Sequence, residues 1–409
     1  MATLLAINNY HYRRGGAEVV HLEHIRLFED LNWRVVPFAM RHKENSATRW
    51  DEYFVDEIEF GGAYSLGQRL ARAPRVVYSL QARQRIGQLL DDVHVDVAHA
   101  HNIYHHISPS VLGALKERGV PVLLTLHDLK LACPAYKMFT HDGICERCRG
   151  GAIHNVVLHR CIKNSVALSA LVAVEATLHR MLGTYARHVD RMIVPSRFLI
   201  RKLVEWGWPE DRFRYIPNFV DLAGLDADRN VGRAFLYVGR LETVKGVGSL
   251  IRAAAKANVP LRIVGTGPDT DSLRAIARSF AELDVEFLGY QSGAVLRASM
   301  RAARAIVLPS ELYENAPISV LEAYSLGRPV IGARIGGIPE LVRDDETGAS
   351  FESGDVDDLA AVLRRFAALP DQTVANMGAA GRHWVEQQFT PAHYRERVLE
   401  QYRELGVAA

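Results

Sequence analysis

The stretch Glu314-Asn315-Ala316-Pro317-Ile318-Ser319-Val320-Leu321-Glu322 carries two glutamates separated by seven residues. Pro317 suits the first turn of a helix, and the apolar residues after it favour helical structure. Because a separation of eight positions is a little over two helical turns, we expect both carboxylates near one face, Glu314 at the helix mouth and Glu322 inside it. A buried acidic pair needs partners that donate hydrogen bonds, and sugar hydroxyls are such donors.

Outward from this motif, short apolar strands alternate with helical patterns, which is typical of βαβ units and parallel sheets. Two sets of strands predict two Rossmann-like domains, with a seam between Pro195 and Arg233. The predicted strands of the first set are Thr3–Asn8, Trp33–Ala39, Val95–Ala100, Val120–Leu126 and Arg191–Pro195. Those of the second set are Ala234–Val238, Leu261–Val264, Val285–Leu288, Ala305–Leu308 and Pro329–Ala333.

The bulk composition sets limits on the class of protein. The 409 residues suggest at least two domains, and 48% hydrophobic residues is ordinary for a soluble globular chain. A formal net charge of +2 argues against a bulk nucleic-acid binder. The N-terminus reads as a first strand and not as a signal peptide, and no apolar run is long enough for a membrane span. We therefore expect a cytoplasmic enzyme.

A cationic turn follows one predicted strand of the second set. Gly239-Arg240-Leu241-Glu242-Thr243-Val244-Lys245-Gly246 lies at a carboxyl edge, where open α/β sheets bind ligands. The Arg240 guanidinium can offer forked donors and Lys245 a point charge, which suits a phosphate group. The alternative is a surface turn with two ordinary bases; the presence of the glutamate pair in the same set of strands favours the phosphate clamp.

These motifs resemble the family 4 retaining glycosyltransferases, whose paired glutamates precede a helix of small residues and a Gly-x-Pro-Val strand. Here that continuation reads Ala323-Tyr324-Ser325-Leu326-Gly327-Arg328-Pro329-Val330-Ile331. The resemblance implies a GT-B fold, in which two Rossmann-like domains face a central cleft and a C-terminal helix returns to the first domain. We expect domains at 1–195 and 196–382 and the returning helix in 383–409.

The resemblance also implies the function. We expect retaining transfer of a hexosyl unit from a nucleotide-diphosphate sugar to a hydroxyl acceptor, a lipid-linked glycan among the candidates, in cell-surface polysaccharide or glycoconjugate synthesis. Retention is expected to proceed by substitution on one face of the sugar, without an enzyme nucleophile. The Asp-x-Asp strings do not end predicted strands, so we expect no metal ion in catalysis.

Site roles carry over position by position. The expected catalytic residues are Arg240, Lys245, His127 and Glu314. The expected donor-binding residues are Gly15, Gly16, Asn218, Gly239, Gly265, Gly267, Leu288, Gly289, Tyr290, Asn315, Ala316, Pro317, Ile318 and Glu322. The expected acceptor contacts are His101 and Asn102. One departure concerns Asn315-Ala316-Pro317, where many members have a glycine-rich run, and this difference bears on the preferred sugar.

All four cysteines fall in one short window: Cys133, Cys145, Cys148 and Cys161. A Cys-x-x-Cys pair is the usual half-site of a structural zinc, and disulfides are rare in the cytoplasm. One interpretation is a zinc ion held by four thiolates, in an insertion near residues 133–161. The other is a set of ordinary buried thiols.

Residues 61–90 contain several arginines and no acidic residue, with leucines at roughly helical spacing. A basic amphipathic helix of this kind can lie on anionic lipid, so peripheral contact with the inner face of the cell membrane is one hypothesis. A solvated face on a core helix is the other.

Two further classes of function compete with transfer. A sugar-nucleotide epimerase would use the same architecture without an acceptor. A catalytically silent nucleotide-sugar-binding partner would keep the fold and lose the charged residues, which are intact here. A phosphorylase would need a longer chain and a lysine for a pyridoxal cofactor, and neither is evident.

Overall fold

A computed structural model describes residues 1–58, 73–227 and 229–408. Within it the chain divides into two compact units. The first unit comprises Met1–Thr140, Cys145–Pro217 and Tyr394–Ala409. The second comprises His141–Ile144 and Asn218–His393.

The first unit is built on a parallel sheet of six strands in the order β2-β1-β3-β4-β7-β8. Its strands are β1 (Thr3–Ile7), β2 (Arg34–Phe38), β3 (Val97–Ala100), β4 (Val122–Thr125), β7 (Arg191–Val194) and β8 (Phe213–Tyr215). Between β4 and β7 the chain forms two strands of two residues, β5 (Phe139–Thr140) of the first unit and β6 (Gly143–Ile144) of the second. The residues of β1, β3 and β4 are buried throughout, as expected of parallel strands covered on both faces.

The helices of this unit connect successive strands. They are α1 (Gly16–Glu29), α2 (Leu80–Asp92), α3 (Ser110–Glu117), α4 (Asn155–Leu158), α5 (Val166–Met181), α6 (Thr184–His188) and α7 (Arg197–Glu205). Three of them begin at a serine N-cap: Ser79, Ser165 and Ser196 each accept a hydrogen bond from a backbone N–H three residues on. The sequence order of the sheet reverses between β1 and β3, so the loops after these two strands meet at a topological switch point.

The second unit has a parallel sheet in the order β11-β10-β9-β12-β13-β14, the strand order of dinucleotide-binding Rossmann domains. Its strands are β9 (Phe235–Val238), β10 (Leu261–Val264), β11 (Val285–Gly289), β12 (Ala305–Leu308), β13 (Val330–Ala333) and β14 (Gly348–Phe351). Its helices are α8 (Val247–Ala257), α9 (Thr270–Arg278), α10 (Gly293–Arg301), α11 (Ile318–Ser325), α12 (Val356–Ala367) and α13 (Asp371–Gln388). The last helix, α14 (Pro391–Glu404), groups with the first unit from Tyr394 onward.

The predicted fold class is confirmed, and every predicted strand is present within two residues of its expected bounds. The boundary between units lies after Pro217 and not after residue 195, because β8 pairs with β7 and so extends the first sheet. Strands β5, β6, β8 and β14 were not predicted. Strands β5, β6 and β8 have only two or three residues, and neither β8 (Phe-Arg-Tyr) nor β14 (Gly-Ala-Ser-Phe) carries a continuous apolar run.

Tyrosine–histidine hydrogen bonds hold α14 within the first unit. The Tyr402 hydroxyl lies 2.8 Å from His99 Nδ1 and 3.2 Å from His24 Nε2, and the Tyr394 hydroxyl lies 3.0 Å from His24 Nδ1. The second nitrogen of His99 lies 2.7 Å from Thr125 Oγ1. All four rings are buried, so these hydrogen bonds replace the water that the polar atoms lose on folding.

In the part of the chain that the structure describes, no helix combines the length and apolar character required to cross a bilayer. The first half of the predicted basic amphipathic segment, including Arg69 and Arg72, lies outside the described residues. The membrane-contact hypothesis stays a prediction.

The buried histidines make stability depend on pH. Burial lowers the pKa of His99 to about 3 and that of His127 to about 4, and it lowers the pKa of His24 and His101 well below 6.5. These rings are neutral in the folded state but protonate near pH 6.5 when unfolded, so the free energy of unfolding falls as the pH falls below 6.5. For one histidine we expect a loss of about 2 kcal/mol between pH 7 and pH 5.

Urea unfolding at pH 7 and pH 5 tests this dependence. We expect His99→Asn to reduce the loss of unfolding free energy between pH 7 and pH 5 by the contribution of one histidine. This holds whatever the substitution does to stability at pH 7. The exposed His94→Asn serves as the control and should keep the full difference. An unchanged difference in His99→Asn would contradict the assignment.

Candidate functional site

The loops that follow β9 and β12 lie side by side in the second unit. These strands are neighbours in the sheet although two strands separate them in sequence, so their carboxyl ends form its switch point. Open α/β sheets bind ligands at this place. The cationic turn follows β9 and the acidic motif follows β12, so the fold brings the two strongest sequence motifs together.

The β9 loop is fixed by its backbone. The Tyr237 hydroxyl donates to the Arg240 carbonyl at 2.9 Å, and a single 3₁₀ turn over Thr243–Lys245 ends at Gly246. Gly246 has a φ of 68°, and a Cβ there would lie 1.8 Å from the Pro309 carbonyl oxygen. Only glycine therefore allows the β9 loop to approach the β12 loop this closely.

Lys245 and Glu314 form an ion pair across this approach. Lys245 Nζ lies 2.6 Å from Glu314 Oε1, and the Ser310 hydroxyl donates to the same oxygen at 2.6 Å. The lysine side chain is 28% exposed and the glutamate 18%, so both remain accessible to a ligand. Arg240 is 70% exposed, and its Nε lies 3.0 Å from Glu242. Such partly exposed pairs add little to stability, which favours a role in binding.

Glu314 lies in the loop before α11 and not on the helix. The helix begins at Ile318 with Pro317 as its N-cap, so the expectation that both glutamates share one helical face is wrong for Glu314. Glu322 lies within α11 and is half-buried. The loop conformation is held by tertiary contacts that helical periodicity does not describe.

Three contacts to its backbone hold the loop that contains Glu314. Gly337 N–H donates to the Glu314 carbonyl at 2.7 Å, and Asn218 Nδ2 donates to the Ala316 carbonyl at 2.8 Å. Gly336 has a φ of 60°, and a Cβ there would lie 2.3 Å from the Glu314 carbonyl oxygen. Asn218, predicted to contact the donor, thus braces the loop that carries the glutamate.

Asn315, Ala316, Pro317 and Ile318 line the entry to α11 and are half-buried. Pro317 provides no side-chain cap for this helix, and backbone N–H groups at a helix start are suited to an anion or a hydroxyl. Their predicted role in donor binding stays a prediction, and the geometry is compatible with it.

Loops after β10 and β11 continue the same edge. Leu241 N–H donates to the Thr266 carbonyl at 3.0 Å, and Gly265 N–H donates to the Gly289 carbonyl at 2.8 Å. These bonds connect the three loops that carry the predicted residues Gly239, Gly265, Gly267, Leu288 and Gly289. Tyr290 is 76% exposed at the end of this row, so its ring is free to cover a flat ligand group.

The predicted glycine turn of the first unit opens α1. Gly15 is its N-cap in an extended conformation, and Gly16 is its first residue. Burial raises the pKa of Glu18 in the first turn. The position of both glycines at the β1 end of the first switch point agrees with a ligand-facing loop.

His127 follows β4, and its Nε2 lies 2.8 Å from Nδ1 of His101. Since His101 is 0% exposed, the structure does not support its predicted contact with an acceptor; it lies behind His127 and can fix its tautomer. Asn102 donates its backbone N–H to Asn8 Oδ1 at 3.1 Å, and its contact with the acceptor substrate stays a prediction.

The loop after β4 also contains Asp128. Burial raises the pKa of Asp128 to about 6, and its Oδ1 accepts the Lys130 N–H at 2.9 Å, which orders this loop.

Sequence reasoning missed Gly336, Gly337 and the hydroxyl of Ser310 as parts of the site. A signal was available, because two adjacent glycines in the loop after a buried strand can mark a close approach to another backbone. The same signal identified Gly15 and Gly16. Ser310 carried no such signal, since its role depends on the position of Glu314.

The four cysteines are free and line one small cavity in the first unit. Across the described ranges, no group of three or more His, Cys, Asp or Glu side chains stands in an arrangement that could hold a metal ion. The zinc interpretation is therefore untested by the fold.

Comparisons with known proteins agree with this geometry. Residues 14–223 match the family described as Glycosyltransferase Family 4, and residues 229–384 match the family described as Glycosyl transferases group 1. A D-inositol 3-phosphate glycosyltransferase of Actinosynnema mirum is 29% identical over 71% of this chain and 68% of its own length. The alpha-maltose-1-phosphate synthase of Mycolicibacterium smegmatis is 29% identical over 76% of this chain and 79% of its own.

Solved structures share the fold over the whole chain. Sucrose-phosphate synthase of Thermosynechococcus elongatus superposes with a TM-score of 0.73 at 19% identity, covering 100% of both chains. Anabaena HepE in complex with UDP and glucose superposes with a TM-score of 0.69 at 16% identity, covering 99% of this chain and 100% of its own. Because the two family matches together span most of the sequence, and one alone spans more than half, the chain belongs to glycosyltransferase family 4.

Proposed function

We propose that this protein is a retaining hexosyltransferase that uses a nucleotide-diphosphate sugar and a hydroxyl acceptor. The contact between Lys245 and Glu314 at the switch point of the second unit carries the proposal. It offers a cation for the diphosphate and, 2.6 Å away, a carboxylate for sugar hydroxyls. HepE structures hold UDP, UDP-glucose or UDP with glucose, which supports a donor of this class.

In the reaction, the bond between the anomeric carbon and the diphosphate oxygen breaks, and its electron pair stays on the departing diphosphate. Lys245 and Arg240 stabilise the charge that grows there. Lys245 has three N–H donors, so it can bind a phosphate oxygen while it keeps its bond to Glu314. The acceptor oxygen then bonds to the anomeric carbon on the same face, and its proton passes to the leaving diphosphate.

The other residues of the site have complementary roles. Glu314 accepts hydrogen bonds from the donor sugar, Glu322 accepts from the ribose, and the N–H groups at the start of α11 face sugar and phosphate. Catalysis needs no metal ion, since the lysine and arginine supply the positive charge. A lipid-linked glycan acceptor, used at the inner face of the membrane for polysaccharide or glycoconjugate synthesis, fits the basic segment of residues 61–90.

A panel of nucleotide-diphosphate sugars identifies the donor by thermal shift, because a ligand at a hundredfold excess over its dissociation constant adds about 2.7 kcal/mol of stability. The donor that binds is then incubated with and without hydroxyl acceptors. We expect transfer with the anomeric configuration kept, as read by NMR. An isomer formed from the donor alone would indicate the epimerase, and binding without turnover would indicate the silent partner.

Replacement of Lys245 by alanine removes the proposed phosphate cation. We expect kcat/KM to fall by about a hundredfold to a thousandfold, the usual cost of one donor at a developing negative charge. The control is Lys256→Ala, which removes an exposed lysine of α8 that pairs with Asp357. Equal activity of the two variants would refute the role of Lys245.

Gly336→Ala tests the bracing of the Glu314 loop. The added Cβ meets the Glu314 backbone, so we expect weaker donor binding and slower transfer in addition to a destabilisation of about 1–3 kcal/mol from backbone strain. Gly354→Ala is the matched control, because Gly354 also has a positive φ, of 80°, but no atom within 4 Å of the added Cβ. If both variants lose stability and keep full donor affinity, the proposed bracing is wrong.

A further inference from the structure

We propose that Cys133, Cys145, Cys148 and Cys161 bind one structural zinc ion in the first unit. The four cysteines of the chain come from separate turns of a loop-rich segment, yet all line the same cavity. This cavity measures about 10 Å³, which is room for a single ion or water molecule and not for a sugar. The lining thus contains four cysteines, which is a ligand set of structural zinc sites, although in the described residues the side chains do not yet stand in an arrangement that could hold an ion.

The ligands come from three places in the sequence: Cys133, the Cys145–Cys148 pair and Cys161 all line this cavity. Cys145 and Cys148 form a Cys-x-x-Cys half-site, and Cys133 and Cys161 supply the other two ligands of a tetrahedral site.

The backbone provides hydrogen bonds to the sulfurs. Cys133 receives backbone hydrogen bonds from Ala135, Lys137 and Met138, and Cys148 receives one from Val156. In a metal site, outer hydrogen-bond donors of this kind orient the ligating sulfurs.

The segment that carries these cysteines has little regular structure to hold it. Between Cys133 and Asn164 the described structure shows two strands of two residues, one 3₁₀ turn and the four-residue α4. Five non-glycine residues in this segment have positive φ angles: Tyr136, Met138, Arg160, Lys163 and Asn164. Conformations of this kind persist only where surrounding contacts impose them, and metal bonds are contacts of sufficient strength.

Zinc–sulfur bonds are about 2.3 Å long, so binding requires the thiols to close onto the ion from their present positions. The turns permit this movement, because Cys145 and Cys161 are only partly buried and Cys145 and Cys148 are two residues apart. The ion would fix the loop that begins five residues after Asp128, and so would stabilise the turn that carries His127. The proposal does not depend on the proposed reaction.

Elemental analysis of the protein, purified without chelator under reducing conditions, tests the site. We expect about one zinc per chain and its release when a mercurial reagent modifies the thiols. Cys148→Ser should lower the zinc content at least several-fold. His159→Ala is the control: this histidine lines the same cavity, so retention of zinc in this variant assigns binding to the cysteines.

Cobalt reconstitution of the unmutated protein keeps the test valid if Cys148→Ser fails to fold. A tetrahedral cobalt–thiolate site gives strong visible absorption bands, which we expect at one equivalent of cobalt and expect zinc to abolish. Four titratable thiols together with neither bound zinc nor cobalt bands would overturn the proposal, as would a disulfide between any two of these cysteines.

Discussion

The ion pair between Lys245 and Glu314 depends on the strand order of the second sheet. In chain order, Lys245 follows the first strand of that sheet, β9, and Glu314 follows the fourth, β12. These two strands are neighbours only because the strand order reverses between them. The reversal leaves a gap at the carboxyl edge that helices do not cover. The two charges lie at this gap, where a diphosphate and a sugar can reach both.

The contact holds its geometry through the backbone and not through the strength of the ion pair. Partly exposed pairs contribute about 0–1 kcal/mol, which is too little to fix two loops. Close approaches of main chain to main chain do so instead: Gly246 against Pro309, and Gly336 against Glu314. Catalysis by electrostatic stabilisation requires charges that are placed before the reaction begins, and rigid backbone contacts provide this placement.

Sequence patterns predicted the sheets well, because continuous apolar runs such as Ala305–Leu308 are typical of buried parallel strands. They also singled out Lys245 and Glu314, because a charged side chain indicates which ligand groups it can bind. Patterns failed where a role depends on a distant partner. Asn218 braces Ala316 across 98 positions, and His101 is buried behind a histidine that follows a different strand. Local periodicity also misplaced Glu314, whose loop is shaped by glycines after another strand.

Calorimetric binding of a nucleoside diphosphate and its monophosphate, to the unaltered protein and to Lys245→Met, shows whether Lys245 contacts the second phosphate. UDP and UMP are the pair to use first. If Lys245 binds the second phosphate, the preference for UDP over UMP should fall by about tenfold or more in the variant, which corresponds to about 1.4 kcal/mol. A preference that survives the substitution unchanged would show that the diphosphate binds elsewhere, and the account of the switch-point site would be wrong.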